Sequence, residues 1–237
     1  MKWKDFVISS GSVVGAYHRK VFRNNQDALY MASNGNYLAA VVCDGCGSGK
    51  YSEVGARLGS RHVARMVIQM LEQNPELTDE QLIERVNQSL ILYLVCLNIG
   101  EDSTDFIHDH LLFTCLGVII RDNRAIIFSA GDGINSINGE IKIIDENNEP
   151  KYPAYAIVSG KDREKYKLQI QKTVDLPSLE SLLVATDGYE DILLRSEDEI
   201  EYLGKTVQVS DLADFEMNEK FARKEILLQK RLNVIGL

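Results

Sequence analysis

Three aspartates occupy the same kind of position, directly after an apolar run and directly before a glycine. They are Asp44, Asp132 and Asp187, in the runs Val-Val-Cys-Asp-Gly, Ser-Ala-Gly-Asp-Gly and Val-Ala-Thr-Asp-Gly. A fourth, Asp27, directly precedes an apolar run. The end of a buried strand holds a side chain rigidly, and a following glycine allows a carbonyl or a ligand to approach closely. Several such carboxylates converge only around a cation, and Mg²⁺ or Mn²⁺ prefers oxygen ligands.

Each of these signals also has a plainer interpretation. An Asp-Gly pair commonly does no more than close a turn, and the spacing alone does not show which strand ends meet. Cys43 and Cys46 form a Cys-x-x-Cys, but no second pair at zinc-ligand spacing follows. The glycines before Lys50 lack the spacing of a P-loop, and Lys50 is followed by tyrosine rather than serine or threonine.

Turn signals and apolar periodicity predict the elements that position the aspartates. Asn-Gly at 34–35 predicts a type I′ hairpin between strands 27–33 and 37–43, and the second of these strands is apolar throughout. Helical spacing begins at Ser52, a candidate N-cap, and ends near Asn74. A second helix follows the Thr-x-x-Gln capping box at Thr78 and extends to Gly100.

In the second half of the chain, apolar alternation and turn residues predict further antiparallel strands and one terminal helix. Strands are expected at 114–120, 125–129, 134–137, 141–144, 167–174 and 182–186, with a helix at 222–232. The polar stretch 145–165 predicts a surface loop or flap. Helices covering mostly antiparallel sheets make α+β the natural class.

Composition narrows the class of protein. The chain has 237 residues, 45% of them hydrophobic and 26% charged, as in an ordinary globular domain. We therefore expect a single domain over residues 1–237. The net charge of −9 repels nucleic acid and anionic membranes. Four cysteines are too few for a disulfide framework, and no apolar run reaches the about 20 residues of a membrane span, so a cytoplasmic protein is expected.

Taken in order, six segments resemble the motifs of the metal-dependent protein phosphatases of type 2C, the PPM family, in its bacterial form. These segments are 25–28, 41–49, 52–56, 113–118, 130–133 and 183–191. The resemblance implies a four-layer αββα sandwich of two antiparallel sheets. It also implies two Mn²⁺ or Mg²⁺ ions, with a third possible, and hydrolysis of phosphoserine and phosphothreonine in proteins by a metal-activated hydroxide.

The resemblance also implies a role for each matching residue. Asp44 resembles the aspartate that bridges both metals, and Gly45 would contribute its carbonyl. Asp187 resembles a ligand of the second metal, and Asp27 the acidic residue of the first motif. Asp132 resembles the residue that holds a looser third metal.

This chain departs from the family pattern near the first motif. Gln26 replaces a frequent glutamate, so an amide takes the place of a negative charge. Cys46 stands where eukaryotic relatives carry the histidine proposed as general acid. His18 is a candidate replacement, although a surface histidine is its plainer interpretation. Arg23, four residues before Asp27, is a candidate for binding the phosphate, with Arg19 or Lys20 as alternatives.

The family's final Asp-Asp or Asp-Asn strand has no counterpart before Leu237, so we expect a domain that lacks its last strand, through truncation or an incomplete site. Two functions follow as hypotheses. The first is a phosphatase acting on a phosphoprotein made by a cognate serine/threonine kinase. The alternative is a pseudophosphatase that binds a phosphoprotein without turnover. A monomer is expected, with no nucleic-acid or membrane partner.

Overall fold

A computed structural model describes residues 3–98, 103–146, 149–158 and 163–236. The described strands are β1 (Ala28–Ser33), β2 (Leu38–Cys43), β3 (Cys115–Arg121), β4 (Arg124–Ala130), β5 (Gly133–Ile137), β6 (Glu140–Ile144), β7 (Gln169–Asp175), β8 (Leu182–Ala185), β9 (Glu199–Tyr202) and β10 (Lys205–Gln208). The helices are α1 (Ala16–Lys20), α2 (Ser52–Gln73), α3 (Asp79–Leu97), α4 (Ser103–Phe106), α5 (Tyr155–Val158), α6 (Gly188–Leu194), α7 (Val209–Ala213), α8 (Glu219–Arg223) and α9 (Glu225–Ile235). A π-helical turn, Ile107–Leu111, follows α4 directly.

The strands form two main antiparallel sheets. The larger has the order β1-β2-β3-β4-β7, and the smaller has the order β6-β5-β8. Strands β9 and β10 pair separately as a hairpin. All these pairings are antiparallel, which confirms the predicted α+β class.

The buried apolar residues of the described ranges form three clusters. The largest lies between the five-stranded sheet and helices α2 and α3, and includes Val67, Leu90 and Phe113. A second lies between the two sheets, where Leu38 and Val118 of the larger sheet meet Ile137 and Leu182 of the smaller. The third joins α7 and α9 to α6 and the β9–β10 hairpin. Because β2, β3 and β4 are covered on both faces, they consist almost entirely of apolar residues.

Sequence signals and structure agree at the capping box and differ at the helix before it. Thr78 caps α3 as predicted, with its hydroxyl accepting from the N–H of Gln81. Ser52 is not the N-cap of α2. It is the first residue of that helix, and Tyr51 precedes it as the cap without a side-chain bond. The Ser52 hydroxyl instead accepts a hydrogen bond from Gln26.

The predicted type I′ turn at Asn34-Gly35 is wrong. Neither residue has a positive φ, because the Asn34 side-chain oxygen accepts from the N–H groups of Asn36 and Tyr37 and sets a different turn. Positive φ angles are found at Asn138 and Gly139, where β5 turns into β6 as predicted. The single predicted helix at 222–232 is divided into α8 and α9 at Lys224.

The polar stretch 145–165 falls partly on residues 147–148 and 159–162, which lie outside the described residues. Of the rest, Ala154 is buried in the large cluster, Tyr152 and Tyr155 pack against it, and Ala156 is also buried. This part of the stretch is therefore anchored to the core. No helix among the described residues combines the length and apolar character needed to cross a membrane.

Candidate metal and phosphate site

Strand register brings the predicted aspartates to one end of the sandwich. Ala28 pairs with Cys43, so Asp27 before β1 and Asp44 after β2 stand side by side. Farther along the same sheet, Cys115 of β3 pairs with Ala130 of β4, and Asp132 follows Ala130 by two residues. Asp132 directly precedes β5, whose partner β8 ends two residues before Asp187. The alignment of strand ends therefore places all four aspartates at this end of the sandwich.

Asp27 and Asp44 are in direct contact. Their carboxyl groups are hydrogen-bonded to each other, which requires one of them to carry a proton. Burial raises the pKa of Asp44, and the charges of Asp27, Asp187 and Asp132 raise it further. Burial also raises the pKa of Asp27, against the hydrogen bonds from Asp44 and Thr186. Without a cation, the pair therefore retains a shared proton that is held mainly by Asp44.

Asp132 and Asp187 lie around this pair and contribute charge to it. Burial raises the pKa of Asp132, as do the charges of Asp187, Glu146 and Asp145. Asp187 is exposed and precedes α6. Over the described ranges, no three acidic, histidine or cysteine side chains already meet closely enough to hold a metal ion. The donor set still fits a hard divalent cation, because it consists of carboxylate oxygens that repel one another without one.

Two threonines whose roles sequence reasoning missed hold the two aspartates, one through the Asp44 backbone and one through the Asp27 carboxylate. Thr114 exchanges two hydrogen bonds with Asp44: its N–H donates to the Asp44 carbonyl (2.8 Å) and its hydroxyl accepts from the Asp44 N–H (3.2 Å). The Thr186 hydroxyl donates to Asp27 (3.4 Å). Each threonine lies within a motif that was recognised in the sequence, but nothing in a threonine's type marks it as a partner of a distant aspartate.

Gly45 is required by the close approach of two other segments. A Cβ atom at this position would lie 2.8 Å from the Gln26 carbonyl oxygen and 2.9 Å from the Ser52 carbonyl oxygen. Its N–H donates to the Gln26 carbonyl (3.2 Å), and its backbone forms an isolated bridge with Phe113. The loop that follows Asp44 is therefore held against both the first motif and the start of α2.

The Gln26 side chain is built into this loop. Only 4% of the residue is exposed, and its amide nitrogen donates to the Ser52 hydroxyl (2.7 Å) and to the Gly49 carbonyl (3.2 Å). Its amide oxygen is buried without a hydrogen-bond partner. A carboxylate here would lose both donated bonds and face the Gly49 carbonyl, so the amide suits this loop better than the family's glutamate would.

Arg23 and His18 lie on the segment that leads to Asp27. The Arg23 guanidinium is exposed and donates to the Gly47 carbonyl, which places it at the rim of the loop. His18 lies in α1, close enough to Asp27 for its charge to favour the ionised carboxylate. Of the alternatives to Arg23, Arg19 is bonded to the Gly236 carbonyl and Lys20 is exposed.

A chain of polar side chains runs outward from Cys46. Tyr152 is hydrogen-bonded to the Cys46 thiol, whose sulfur lies 3.1 Å from the Ser48 hydroxyl. Burial raises the pKa of Cys46, but hydrogen bonds from Ser48 and Tyr152 outweigh it and lower the pKa overall. The Ser48 hydroxyl lies 3.4 Å from Nε2 of His108, and Nδ1 of His108 lies 3.3 Å from Asp109. No local sequence pattern signals this chain, because its contact between Ser48 and His108 joins positions 60 apart.

The raised pKa values predict how stability depends on pH without metal. An aspartate that keeps its proton only when folded stabilises the fold below its ordinary pKa of 3.8 and loses that contribution as the pH rises. Between pH 5 and 8 in chelator, we expect the raised pKa of Asp44 to make the free energy of unfolding fall by up to about 1.4 kcal/mol per pH unit.

Thermal unfolding in chelator across this pH range measures the effect, with Asp44→Asn as the matched variant. The variant has no proton to lose at this position, so its unfolding midpoint should fall less steeply. Saturating Mn²⁺ should also flatten the profile of the native protein, because a bound cation replaces the proton. A midpoint that rises with pH in chelator would contradict the raised pKa values.

Comparison with known proteins matches this chain to a family model and to solved structures of similar fold. A family model described as Protein phosphatase 2C matches residues 14–224. A bacterial serine phosphatase has a similar structure at 16% identity, with a TM-score of 0.55 over 94% of this chain and 90% of that one. A C. elegans sex-determining protein has a TM-score of 0.56 at 13% identity, over 97% of this chain and 62% of that one. Comparison with curated protein sequences finds no match.

Proposed function

This chain belongs to the protein phosphatase 2C family, and on that premise we propose that it hydrolyses phosphoserine and phosphothreonine in proteins with bound divalent cations. The observation that carries the proposal is the buried contact between Asp27 and Asp44, with Asp132 and Asp187 close enough to raise the pKa of Asp44. Carboxylates gathered at such a cost in desolvation and repulsion are typical of a cation site.

Two Mn²⁺ or Mg²⁺ ions, with a third possible, suit this set of oxygen donors. Asp44, Asp27 and Asp187 would hold the two, with the Gly45 carbonyl as a further donor, and Asp132 would hold the third. Bound cations supply Lewis acidity, which lowers the pKa of water and offsets charge on a phosphoryl group.

The other residues of the site bind and orient. Thr114 holds the backbone of Asp44, and the Thr186 hydroxyl orients the Asp27 carboxylate through the hydrogen bonds described above. Arg23 uses one N–H on the Gly47 carbonyl, and the remaining donors of its guanidinium are available to a phosphate. The substrate is then a phosphorylated protein segment, supplied by a serine/threonine kinase.

A second candidate function is phosphoprotein binding without turnover. It is favoured by Gln26, because a neutral amide fills the buried place of a frequent family glutamate, with its nitrogen bonded to Ser52 and Gly49. A pseudophosphatase of this kind would bind a phosphorylated partner through Arg23 and the loop after Asp44. Such a protein would hydrolyse no phosphate ester at a rate that depends on metal.

Metal titration separates the two functions. The native protein is assayed with p-nitrophenyl phosphate and a phosphothreonine peptide while Mn²⁺ is added to chelator-treated protein. Turnover of both substrates that rises with Mn²⁺ and disappears in excess chelator is the expected result. Peptide binding by calorimetry without turnover at saturating Mn²⁺ would favour the pseudophosphatase and contradict the phosphatase.

A further inference from the structure

The leaving group of a phosphoserine needs a proton. When the phosphorus–oxygen bond breaks, the electron pair stays on the serine oxygen, and an alkoxide is a poor leaving group unless an acid protonates it. Cys46 occupies the loop position next to Gly45, and a thiol is a weak donor for this task. A proton source must therefore come from another residue near this loop.

His108 is placed to be that source. Its Nε2 lies 3.4 Å from the Ser48 hydroxyl, and its Nδ1 lies 3.3 Å from the Asp109 carboxylate. A carboxylate on one ring nitrogen fixes the orientation of the ring, so that the other nitrogen faces Ser48. Asp109 is itself paired with Lys50 at 3.0 Å, and this hydrogen bond holds the pKa of Asp109 below its usual range. Asp109 is therefore ionised beside His108 at neutral pH.

Ser48 connects His108 to the site. It lies in the loop whose Gly47 carbonyl accepts a hydrogen bond from Arg23 and whose Gly49 carbonyl accepts one from Gln26. Its hydroxyl also lies 3.1 Å from Cys46, whose partner Tyr152 is close enough to Asp44 and Asp132 for their charges to raise the pKa of Tyr152. The Ser48 hydroxyl thus stands between an exposed histidine and the edge of the acidic cluster.

His108 lies in an unusual backbone conformation. Ile107–Leu111 is a π-helical turn, a conformation that is rare and is often found at functional sites. One backbone bond, from the Tyr51 N–H to the Asp109 carbonyl (2.8 Å), joins this turn to the segment after the loop. A second, from the Cys46 N–H to the carbonyl of Leu112, the residue after the turn, joins it to the loop (2.9 Å). The His108 side chain is 51% exposed, so solvent can replace its proton.

We propose, resting on the phosphatase function above, that His108 supplies the proton for the departing serine or threonine oxygen and delivers it through the Ser48 hydroxyl. A water oxygen bonds to phosphorus while the bond to the serine oxygen breaks. The serine oxygen takes a proton from Ser48, and Ser48 takes one from His108. His108 regains a proton from solvent, which balances the proton that the water gives up. One water is consumed, and an alcohol and inorganic phosphate are formed.

The test compares two leaving groups in the full chain with saturating Mn²⁺. For His108→Asn and Ser48→Ala, we expect kcat on a phosphoserine peptide to fall by about a hundredfold, while kcat on p-nitrophenyl phosphate stays within about twofold. The difference arises because p-nitrophenolate leaves without a proton. Ser48→Thr keeps the hydroxyl and should restore most of the rate on the peptide.

His110→Asn is the matched control. His110 lies in the same π-helical turn, but its ring stacks between Phe106 and Tyr51 instead of joining the chain from Ser48. It should affect both substrates equally or neither. The unfolding midpoint of each variant shows whether it is folded.

Four results would overturn the proposal: equal losses on both substrates, no loss on the peptide, a selective loss in His110→Asn, or a selective loss in His18→Asn alone. Failure of the native protein to turn over either substrate is a different outcome. It would remove the phosphatase function itself, and the assignment of His108 with it.

Discussion

Asp44→Asn should lower the Mn²⁺-dependent turnover of both substrates by at least about a hundredfold. Removing a residue that only hydrogen-bonds a metal ligand usually costs less than this. In chelator the same variant should unfold at a higher temperature than the native protein. An asparagine amide can donate to Asp27 as the protonated Asp44 does, and it adds no buried charge. A gain in stability together with a loss of turnover is typical of a residue retained for function.

The two effects are measured on one preparation, by turnover with Mn²⁺ and by thermal unfolding with and without Mn²⁺. The native protein should be stabilised by Mn²⁺, and the variant should be stabilised much less. Asp175→Asn is the matched control, because Asp175 is exposed and lies opposite Arg124 at the other end of the sheet. If Asp44→Asn keeps the native rate, Asp44 does not hold the cations.

Phe113→Ala should lower the free energy of unfolding by about 3–5 kcal/mol, the usual cost of truncating a buried phenylalanine. Phe113 is fully buried and packs against the side of α2 that carries Gly59, which has no side chain. A Cβ atom on Gly59 would lie 2.3 Å from the Phe113 ring, so the ring rests on the helix backbone. Because its backbone bridges Gly45 and its neighbour Thr114 binds Asp44, turnover should fall as well.

Denaturant unfolding in chelator measures this loss. Phe22→Ala makes the same change of side chain where the phenylalanine is 97% exposed, and it should change the free energy of unfolding by no more than about 0.5 kcal/mol. A cost below about 1.5 kcal/mol for Phe113→Ala would mean that α2 and β3 close over the space, contrary to the tight contact described here.

The aspartates could be predicted from the sequence because each stands at the end of an apolar strand. Once Ala28 pairs with Cys43, the positions of Asp27 and Asp44 follow from the antiparallel register. Local spacing fixed the capping box at Thr78 in the same way. These features depend on neighbours in the sequence or on one strand pairing, so their signals are readable.

Other features depend on contacts that no local pattern records. The bond from Ser48 to His108 joins a glycine-rich loop to a π-helical turn, for which the residue types give no sign. The β9–β10 hairpin was missed because its turn places Leu203 at a φ of 53° before Gly204, where Asn-Gly would have been recognised. At Asn34 the opposite happened, since a side-chain hydrogen bond replaced the turn that the residue types favour.

The segment that carries His18 and Arg23 is held by residues from the far end of the chain. Gln229 exchanges hydrogen bonds with the backbone of Ser12, and Arg19 is bonded to the Gly236 carbonyl. These contacts join positions 217 apart, so they form only after nearly all of the intervening chain has folded or been synthesised. The strands that carry Asp27 and Asp44 pair over a short loop and can form early. During synthesis the aspartates should therefore come together before α1 is docked, and the rim of the site should be completed last.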